Sequence, residues 1–189
     1  MQRFDIINYL IDKNNYKTYL EIGVHSFFCF DKIICEQKTS VDPSINEFKY
    51  DFNITSDKFF EINNKKFDII FIDGLHLAEQ VEKDIENSFK VLNENGRIVL
   101  HDSNPSEELH AMEHHYADAW NGTVWKTIQQ IRSSREDLIV KTYPHDHGVT
   151  VIRKGHSSKI DVLNKYFSFN IFYKNKDKIL NFIDNIDDL

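Results

Sequence analysis

The sequence of 189 residues is poor in cysteine, in long apolar runs and in positive charge. Its two cysteines, Cys29 and Cys35, are too far apart for an adjacent-turn redox or zinc motif, so we expect both to be reduced, apolar residues. No segment approaches the roughly 18 uninterrupted apolar residues that a membrane helix needs. The first residues also lack a basic region followed by an apolar core. We therefore expect a cytoplasmic protein without a membrane partner.

The charge balance and the glycine distribution argue against two further classes of protein, nucleic-acid binders and nicotinamide-dependent oxidoreductases. Lys and Arg number 23 against 30 Asp and Glu, which gives a formal net charge of −7. Because nucleic-acid binding depends on neutralising phosphates, this balance predicts no nucleic-acid partner. Nicotinamide-dependent oxidoreductases need a G-x-G-x-x-G turn, and Gly23 is the only glycine in the corresponding region. An oxidoreductase of that kind is therefore disfavoured.

Short β-branched or aromatic runs alternate with longer segments of helical apolar spacing along most of the chain. This alternation predicts an α/β fold, with one doubly wound, Rossmann-like sheet of about six to seven mostly parallel strands flanked by helices. The predicted strands are residues 18–22, 38–41, 67–72, 97–100, 138–142 and 148–153. The predicted helices are residues 27–36, 56–62, 78–92 and 123–132.

The length of the chain fits a single domain over residues 1–189. We expect an N-terminal helix over residues 1–15 and a helical tail over residues 156–189. Residues 103–121 lack a clear period, which is typical of a lid or a substrate loop. An exposed sheet edge or the apolar tail would suit a homodimer, although no sequence signature requires one.

Acidic residues stand where four of the predicted strands end, namely Glu21, Asp42, Asp73 and Asp102. Open parallel sheets bind ligands beyond the carboxyl ends of their strands, so we expect these four carboxylates to line one crevice. Local turn chemistry explains an acid at any one of these positions. It explains all four together less well.

The order and spacing of these motifs resemble class I S-adenosylmethionine (SAM)-dependent methyltransferases, especially the small O-methyltransferases of sugar and polysaccharide biosynthesis. The resemblance extends over residues 19–154. Its motifs are Glu21-Ile22-Gly23, Val41-Asp42, residues 55–60, Ile72-Asp73-Gly74-Leu75-His76, residues 79–88 and residues 101–105. The resemblance implies a methyltransferase that uses SAM as its cofactor and methylates a hydroxyl of a sugar or glycan.

The resemblance also assigns the cofactor site. By analogy with the family, Gly23 would let the backbone approach the methionine part of SAM, and Asp42 would accept both ribose hydroxyls. Glu21 would offset the positive end of SAM. The remaining residues predicted to bind the cofactor are Ser56, Asp57 and Asp73. Phe27 departs from the family, which usually has a small residue there, so its ring would either narrow the methionine pocket or pack elsewhere.

A metal and a catalytic base follow from the same resemblance. Asp73 and Asp102 would bind Mg²⁺, which lowers the pKa of a coordinated hydroxyl, and His76 would remove its proton. The catalytic residues are thus His76 and Asp73. His101 stands where the family often has an acid, and neutral imidazole binds Mg²⁺ poorly. Either Mn²⁺ is bound by Asp73, His101 and Asp102, or no metal is bound.

Several alternatives remain for these residues. His76 would instead be a backbone-bonded residue at a helix start, and His101 a structural histidine at a strand end. His110 and His114 are four residues apart but lack the supporting ligands of a zinc site. Trp120 would suit stacking on a sugar ring, whereas the neighbours of Trp125 favour the core.

Two alternatives also remain for the function. The first is a catalytically inactive binding subunit of the methyltransferase fold. The second is a methyltransferase that acts on an amine or a small phenol. Fold resemblance alone does not decide among these acceptors.

Overall fold

The computed structural model describes residues 1–46, 48–116, 119–161 and 167–189. Its helices are α1 (Arg3–Asn14), α2 (Ser56–Ile62), α3 (Ala78–Val91), α4 (Val124–Ser134) and α5 (Phe169–Leu180). Its strands are β1 (Thr18–Ile22), β2 (Gln37–Val41), β3 (Phe67–Ile72), β4 (Leu92–Leu100), β5 (Leu138–Tyr143) and β6 (Val149–Lys154). Short 3₁₀ turns lie at Phe30–Lys32, Glu108–Ala111 and Ile186–Asp188.

Within the described residues, the six strands form one sheet in the order β2-β1-β3-β4-β6-β5. Strands β2, β1, β3 and β4 pair in parallel, and β6 runs antiparallel to both of its neighbours. A single parallel bridge between Val41 and Phe52 lies next to the β2 edge. The strand order changes direction between β1 and β3, which is the point where such sheets bind ligands. The predicted α/β fold with a mostly parallel sheet is confirmed.

The central strands are apolar on both faces because helices or turns cover both sides of the sheet. Leu20 and Ile70 belong to the apolar cluster beneath α2, α3, α4 and α5. Their neighbours Tyr19 and Ile69 point the other way, into the cluster beneath α1. This packing fixes the sheet between two layers, so the carboxyl ends of β1, β2, β3 and β4 share one edge.

The predicted helix over residues 27–36 is wrong. In this fully described stretch the chain forms turns and the 3₁₀ turn Phe30–Lys32. His25 and Phe27 have φ angles of 50° and 61°, which are incompatible with a right-handed helix. The Phe27 ring lies 5.4 Å from the ring of Phe30 and stacks at 5.3 Å on Tyr50. Aromatic side chains lose rotamer freedom in helices, and here they are buried by turns instead.

The other predicted elements are present. Strands β1 and β3 and helix α2 have the predicted ends, and the ends of the others are shifted. Strand β4 begins at Leu92, five residues before its predicted start at residue 97, directly after α3. Helix α5 and the 3₁₀ turn Ile186–Asp188 lie in the predicted helical tail, of which residues 162–166 fall outside the described residues. Residues 117–118 of the predicted loop also fall outside them. Among the described residues, no helix has the length and apolarity needed to cross a membrane.

Candidate active site

A cleft of about 790 Å³ lies beyond the carboxyl ends of β1, β2, β3 and β4. All of the residues predicted for the cofactor, the metal and catalysis line this cleft: Glu21, Gly23, Asp42, Ser56, Asp57, Asp73, His76, His101 and Asp102. The topology of the sheet brings them together because each follows or precedes a strand end at the same edge. Their individual roles stay predictions.

Gly23 lies so close to the backbone of the turn after β3 that no side chain fits there. Its φ is +85°, and a Cβ added there would lie 2.3 Å from the carbonyl oxygen of Asp73. The glycine thus allows the turn after β1 to pack against the turn after β3. Phe27 lies outside the cleft and packs on Phe30 and Tyr50, while Phe28 lines it. The departure at Phe27 is therefore accommodated by repacking.

Asp42 is buried at the end of β2, and backbone amides hold its carboxylate in place. Its Oδ2 accepts a hydrogen bond of 2.8 Å from the His25 amide, and its Oδ1 accepts one of 2.8 Å from the Ser44 amide. A carboxylate oxygen has two lone pairs, so each oxygen can accept one further hydrogen bond. This geometry suits a pair of adjacent hydroxyls such as those of a ribose.

Glu21 lies at the end of β1, 1% exposed, and accepts a hydrogen bond from the Tyr19 hydroxyl. Burial raises the pKa of Glu21 to about 8, although the Tyr19 hydrogen bond acts in the opposite direction. Asp73 also raises this pKa, whereas Arg3 and Lys38 lower it. Because this pKa lies above 7, the neutral form of Glu21 predominates at pH 7, and an approaching positive charge favours the ionised form.

A polar cluster from two helices borders the other end of the cleft. The amide nitrogen of Gln80 in α3 lies 3.2 Å from the Ser56 hydroxyl and 3.1 Å from one oxygen each of Asp57 and Asp84. Burial raises the pKa of Asp84 to about 6. The sequence analysis assigned Ser56 and Asp57 to the cofactor. It gave no role to Gln80 and Asp84, although both lie in the motif over residues 79–88.

His76 follows β3 and makes a hydrogen bond to the loop before α4. Its Nδ1 lies 3.0 Å from the carbonyl oxygen of Trp120, which can only accept, so Nδ1 carries a hydrogen. Its Nε2 lies 3.4 Å from an oxygen of Asp73 and 3.4 Å from one of Asp102. Burial lowers the pKa of His76, but the Asp73 hydrogen bond and the charge of Asp102 outweigh burial and raise it. Nε2 is thus the nitrogen available for proton exchange.

Two residues at this end of the cleft were missed by the sequence analysis. Arg3 at the start of α1 places Nη1 3.0 Å from Asp73 Oδ2 and Nε 3.1 Å from Asp146 Oδ2. Asp146 lies in the turn between β5 and β6. The helical pattern of α1 and the turn pattern around Asp146 gave no signal, because only the folded chain brings these segments to the cleft.

His101 stands at the centre of a group of carboxylates. Its Nδ1 lies 2.9 Å from Asp102 Oδ2 and 3.2 Å from Asp73 Oδ1, and its Nε2 is 3.7 Å from Asp146 Oδ1. Burial lowers the pKa of His101, but the charge of Asp73 and the hydrogen bond to Asp102 raise it to about 11. In turn, burial would raise the pKa of Asp73, but His101 holds it well below its usual range.

Unusual backbone conformations concentrate around the same group. Asp102, Asp146 and His147 have φ angles of 60°, 50° and 60°. Non-glycine residues with positive φ are uncommon, and they cluster at functional sites where the surrounding structure enforces them. The backbone here is shaped to bring carboxylates together rather than for local stability.

The residues present do not fit a divalent metal well. One ligand atom each of Asp73, His76 and Asp102 lie within 4.8 Å of one another, the only such group among the described residues. However, both carboxylates already contact protein nitrogens through all of their oxygens. His101 donates toward these carboxylates and does not join them as a third ligand.

The tryptophans, the other histidine and the cysteines singled out in the sequence have different surroundings. Trp125 is 1% exposed, so its predicted place in the core is confirmed. Trp120 stacks on His76 with ring centroids 5.0 Å apart. His110 contacts Ser106 and Glu107, and no zinc-type group that includes it occurs within the described part of the chain. Cys29 and Cys35 form no disulfide, as expected.

Residues 20–103, which contain the turns after β1, β2 and β3, match the family model of a methyltransferase domain. This part of the chain is similar to a methyltransferase domain. This match and the fold confirm the resemblance to class I SAM-dependent methyltransferases, while a specific similarity to sugar-modifying members is not shown. No curated protein sequence matches the chain.

Solved structures share the fold of this chain at low sequence identity. A Staphylococcus aureus protein assigned as a caffeoyl-CoA O-methyltransferase is 20% identical, with 80% of this chain and 82% of that chain covered and a TM-score of 0.57. The SAH-bound methyltransferase PaMTH1 of Podospora anserina is 15% identical, with 81% and 78% covered and a TM-score of 0.58. MycE, in complex with Mg, SAH and mycinamycin VI, is 14% identical, with 85% and 49% covered and a TM-score of 0.52.

Proposed function

We propose that this protein is a SAM-dependent O-methyltransferase that methylates a hydroxyl of a small-molecule acceptor. The observation that carries the proposal is the meeting of Glu21, Gly23 and Asp42 with His76 in one cleft at the switch point of the sheet. Glu21, Gly23 and Asp42 lie in the segment that matches the methyltransferase model, at the positions expected for a SAM site. His76 supplies a base in the same cleft.

The proposed roles follow from the geometry of each residue. Asp42 binds the ribose hydroxyls through the free lone pairs of its carboxylate, and Glu21 faces the positive methionine part. When bound, SAM supplies a methyl group on a sulfonium centre. His76 accepts the acceptor's hydroxyl proton at Nε2, because Nδ1 is held by Trp120. Holding the two reactants in contact contributes several kcal/mol, and base assistance adds about 10² to 10⁴ in rate.

The acceptor that we propose is a sugar or glycan hydroxyl. Support comes from the Asp73-to-His76 segment, on which the resemblance to sugar O-methyltransferases rests, and from the many hydrogen-bonding side chains around His76. A small phenol is the second candidate because Leu75 and Phe28, each 52% exposed, line the cleft with apolar surface. A homodimer, a cytoplasmic location and the lack of a nucleic-acid partner stay predictions.

Asp42→Ala is expected to weaken SAM binding at least about tenfold, because two charge-assisted hydrogen bonds to the cofactor are lost. Isothermal titration calorimetry measures this affinity. Asp51→Ala is the matched control, since Asp51 accepts hydrogen bonds from the amide and hydroxyl of Ser40 but lies outside the cleft. Equal SAM affinity in both variants would remove Asp42 from the cofactor site.

SAM affinity is expected to rise between about pH 7 and pH 9. The neutral form of Glu21 predominates below its pKa of about 8, and only the ionised form attracts the positive cofactor. Raising the pH ionises Glu21 in advance and removes the free-energy cost of its deprotonation on binding. Calorimetry across this range should show a weaker pH dependence in Glu21→Gln, which corrects for titration of SAM itself. Parallel curves for the two proteins would contradict the role of Glu21.

A methyl-transfer assay with radiolabelled SAM distinguishes the acceptors. Nucleotide sugars and simple glycosides form one set of substrates, and catechols with their thioesters form the other. Transfer to the first set supports the sugar proposal, whereas transfer confined to the second supports the phenol. Absence of SAM binding by calorimetry would instead identify a non-catalytic subunit of the same fold.

A further inference from the structure

The carboxylates of Asp73 and Asp102 are held by nitrogens of the protein. Asp73 Oδ1 lies 3.2 Å from His101 Nδ1, and its Oδ2 lies 3.0 Å from Arg3 Nη1. Asp102 Oδ2 lies 2.9 Å from His101 Nδ1, and its Oδ1 accepts a hydrogen bond of 3.1 Å from Asn121. Asp73 Oδ1 and Asp102 Oδ2 also face Nε2 of His76, so a metal bound to these two oxygens would have to displace the Nδ1–H of His101.

His101 has carboxylates on both sides of its ring. Nδ1 faces Asp73 and Asp102, while Nε2 has no hydrogen-bond partner among the described residues and lies 3.7 Å from Asp146. The residue is 5% exposed, so water does not screen these contacts well. Ionised carboxylates only accept hydrogen bonds, so the hydrogen on Nδ1 lies between Asp73 and Asp102.

A permanent positive charge already lies beside these carboxylates. The guanidinium of Arg3 is 3.0 Å from Asp73 Oδ2 and also contacts Asp146. A divalent ion at Asp73 and Asp102 would lie close to this guanidinium and to the Nδ1–H of His101. Repulsion by the guanidinium and by the positive end of the N–H bond would oppose its binding.

We propose that His101, together with Arg3, takes the place of a divalent metal beside Asp73 and Asp102, so that the enzyme transfers methyl groups without a metal. His101 acts as a positioning residue. It fixes the two carboxylates that lie against Nε2 of His76, and thereby orients the base. The activity part of this proposal rests on the proposed O-methyltransferase function, whereas the part that concerns metal binding does not.

Titration of the protein with Mn²⁺, followed by electron paramagnetic resonance of the free ion, tests the proposal directly. The wild-type protein is expected to leave Mn²⁺ free. His101→Glu removes the N–H that lies between the two carboxylates and supplies a third oxygen ligand, so it should bind Mn²⁺ at least about tenfold more tightly than wild type. His156→Glu is the matched control, because it makes the same change at an exposed position away from the cleft.

Three results would overturn the proposal. Specific Mn²⁺ binding by wild type that disappears in Asp102→Asn overturns the proposal, as does methyl transfer that EDTA abolishes and Mg²⁺ restores. A His101→Glu variant with a native circular dichroism spectrum that leaves Mn²⁺ free also contradicts it. Should His101→Glu fail to fold, the comparison of wild type with Asp102→Asn still shows whether wild type binds Mn²⁺ at this site. If no acceptor is ever methylated, the proposed function fails, but the Mn²⁺ titration still tests the role of His101.

Discussion

Replacing His76 with alanine is expected to lower kcat about a hundredfold or more while leaving SAM affinity nearly unchanged. Nε2 of His76, which faces Asp73 and Asp102, is the ring nitrogen that we assign to accept the proton, since Nδ1 is bonded to the Trp120 carbonyl. Loss of the imidazole removes the base, and the residues that we assign to the ribose and the methionine part remain in place. Steady-state kinetics and calorimetry measure the two effects separately.

A histidine outside the cleft serves as the control for this prediction. His114 is exposed and packs its ring 5.9 Å from that of Tyr116, so His114→Ala removes an imidazole without touching the cleft. Its kcat should equal that of wild type. Undiminished turnover in His76→Ala would remove His76 from the mechanism, and a large loss of SAM affinity would indicate a cofactor role instead.

Gly23→Ala is expected to destabilise the protein by about 3 kcal/mol, which lowers the melting temperature by roughly 6 to 12 °C for a domain of this size. The added methyl group would lie 2.3 Å from the Asp73 carbonyl oxygen, and the φ of +85° is strained for any residue with a Cβ. The turns after β1 and β3 would have to move apart. SAM binding should weaken with the loss of that packing.

Gly74, which lies in the same contact between the turns after β1 and β3, provides a matched control for Gly23→Ala. A Cβ at Gly74 would meet the Ile22 side chain at an ordinary 3.6 Å. Gly74→Ala is therefore expected to melt within about 2 °C of wild type, which corresponds to the small effect of an unstrained substitution. Equal melting temperatures for the two alanine variants in differential scanning calorimetry would show that the turns are not packed as described.

The predictable parts of the fold were those set by periodicity along a single element. Val81 and Ile85 form the buried stripe of α3, and its predicted end at residue 92 differs from the observed end by one residue. Asp73 and Asp102 were placed at one edge because parallel strands share their carboxyl ends. The helix predicted over residues 27–36 failed because its apolar spacing arises from a cluster of rings in turns.

The unpredictable part of the site depends on contacts between distant segments. Arg3 is the first residue of a surface helix, and Asp146 lies in a turn rich in polar residues. Asp146 has an ordinary local explanation as a turn-forming acid, whereas the helix dipole disfavours a cation at the position of Arg3. Their pairing is a property of the tertiary structure. The group around His101 could therefore be found only after the chain was folded.

The ion pair between Arg3 and Asp146 joins positions that are 143 residues apart in the chain. Contacts of such long sequence separation are slow to form, because the entropy of closing the loop is lost before the contact stabilises it. The turns after β1 and β2, by comparison, close over short distances. The pair between Arg3 and Asp146 should therefore form later in folding than the turns at the other end of the cleft.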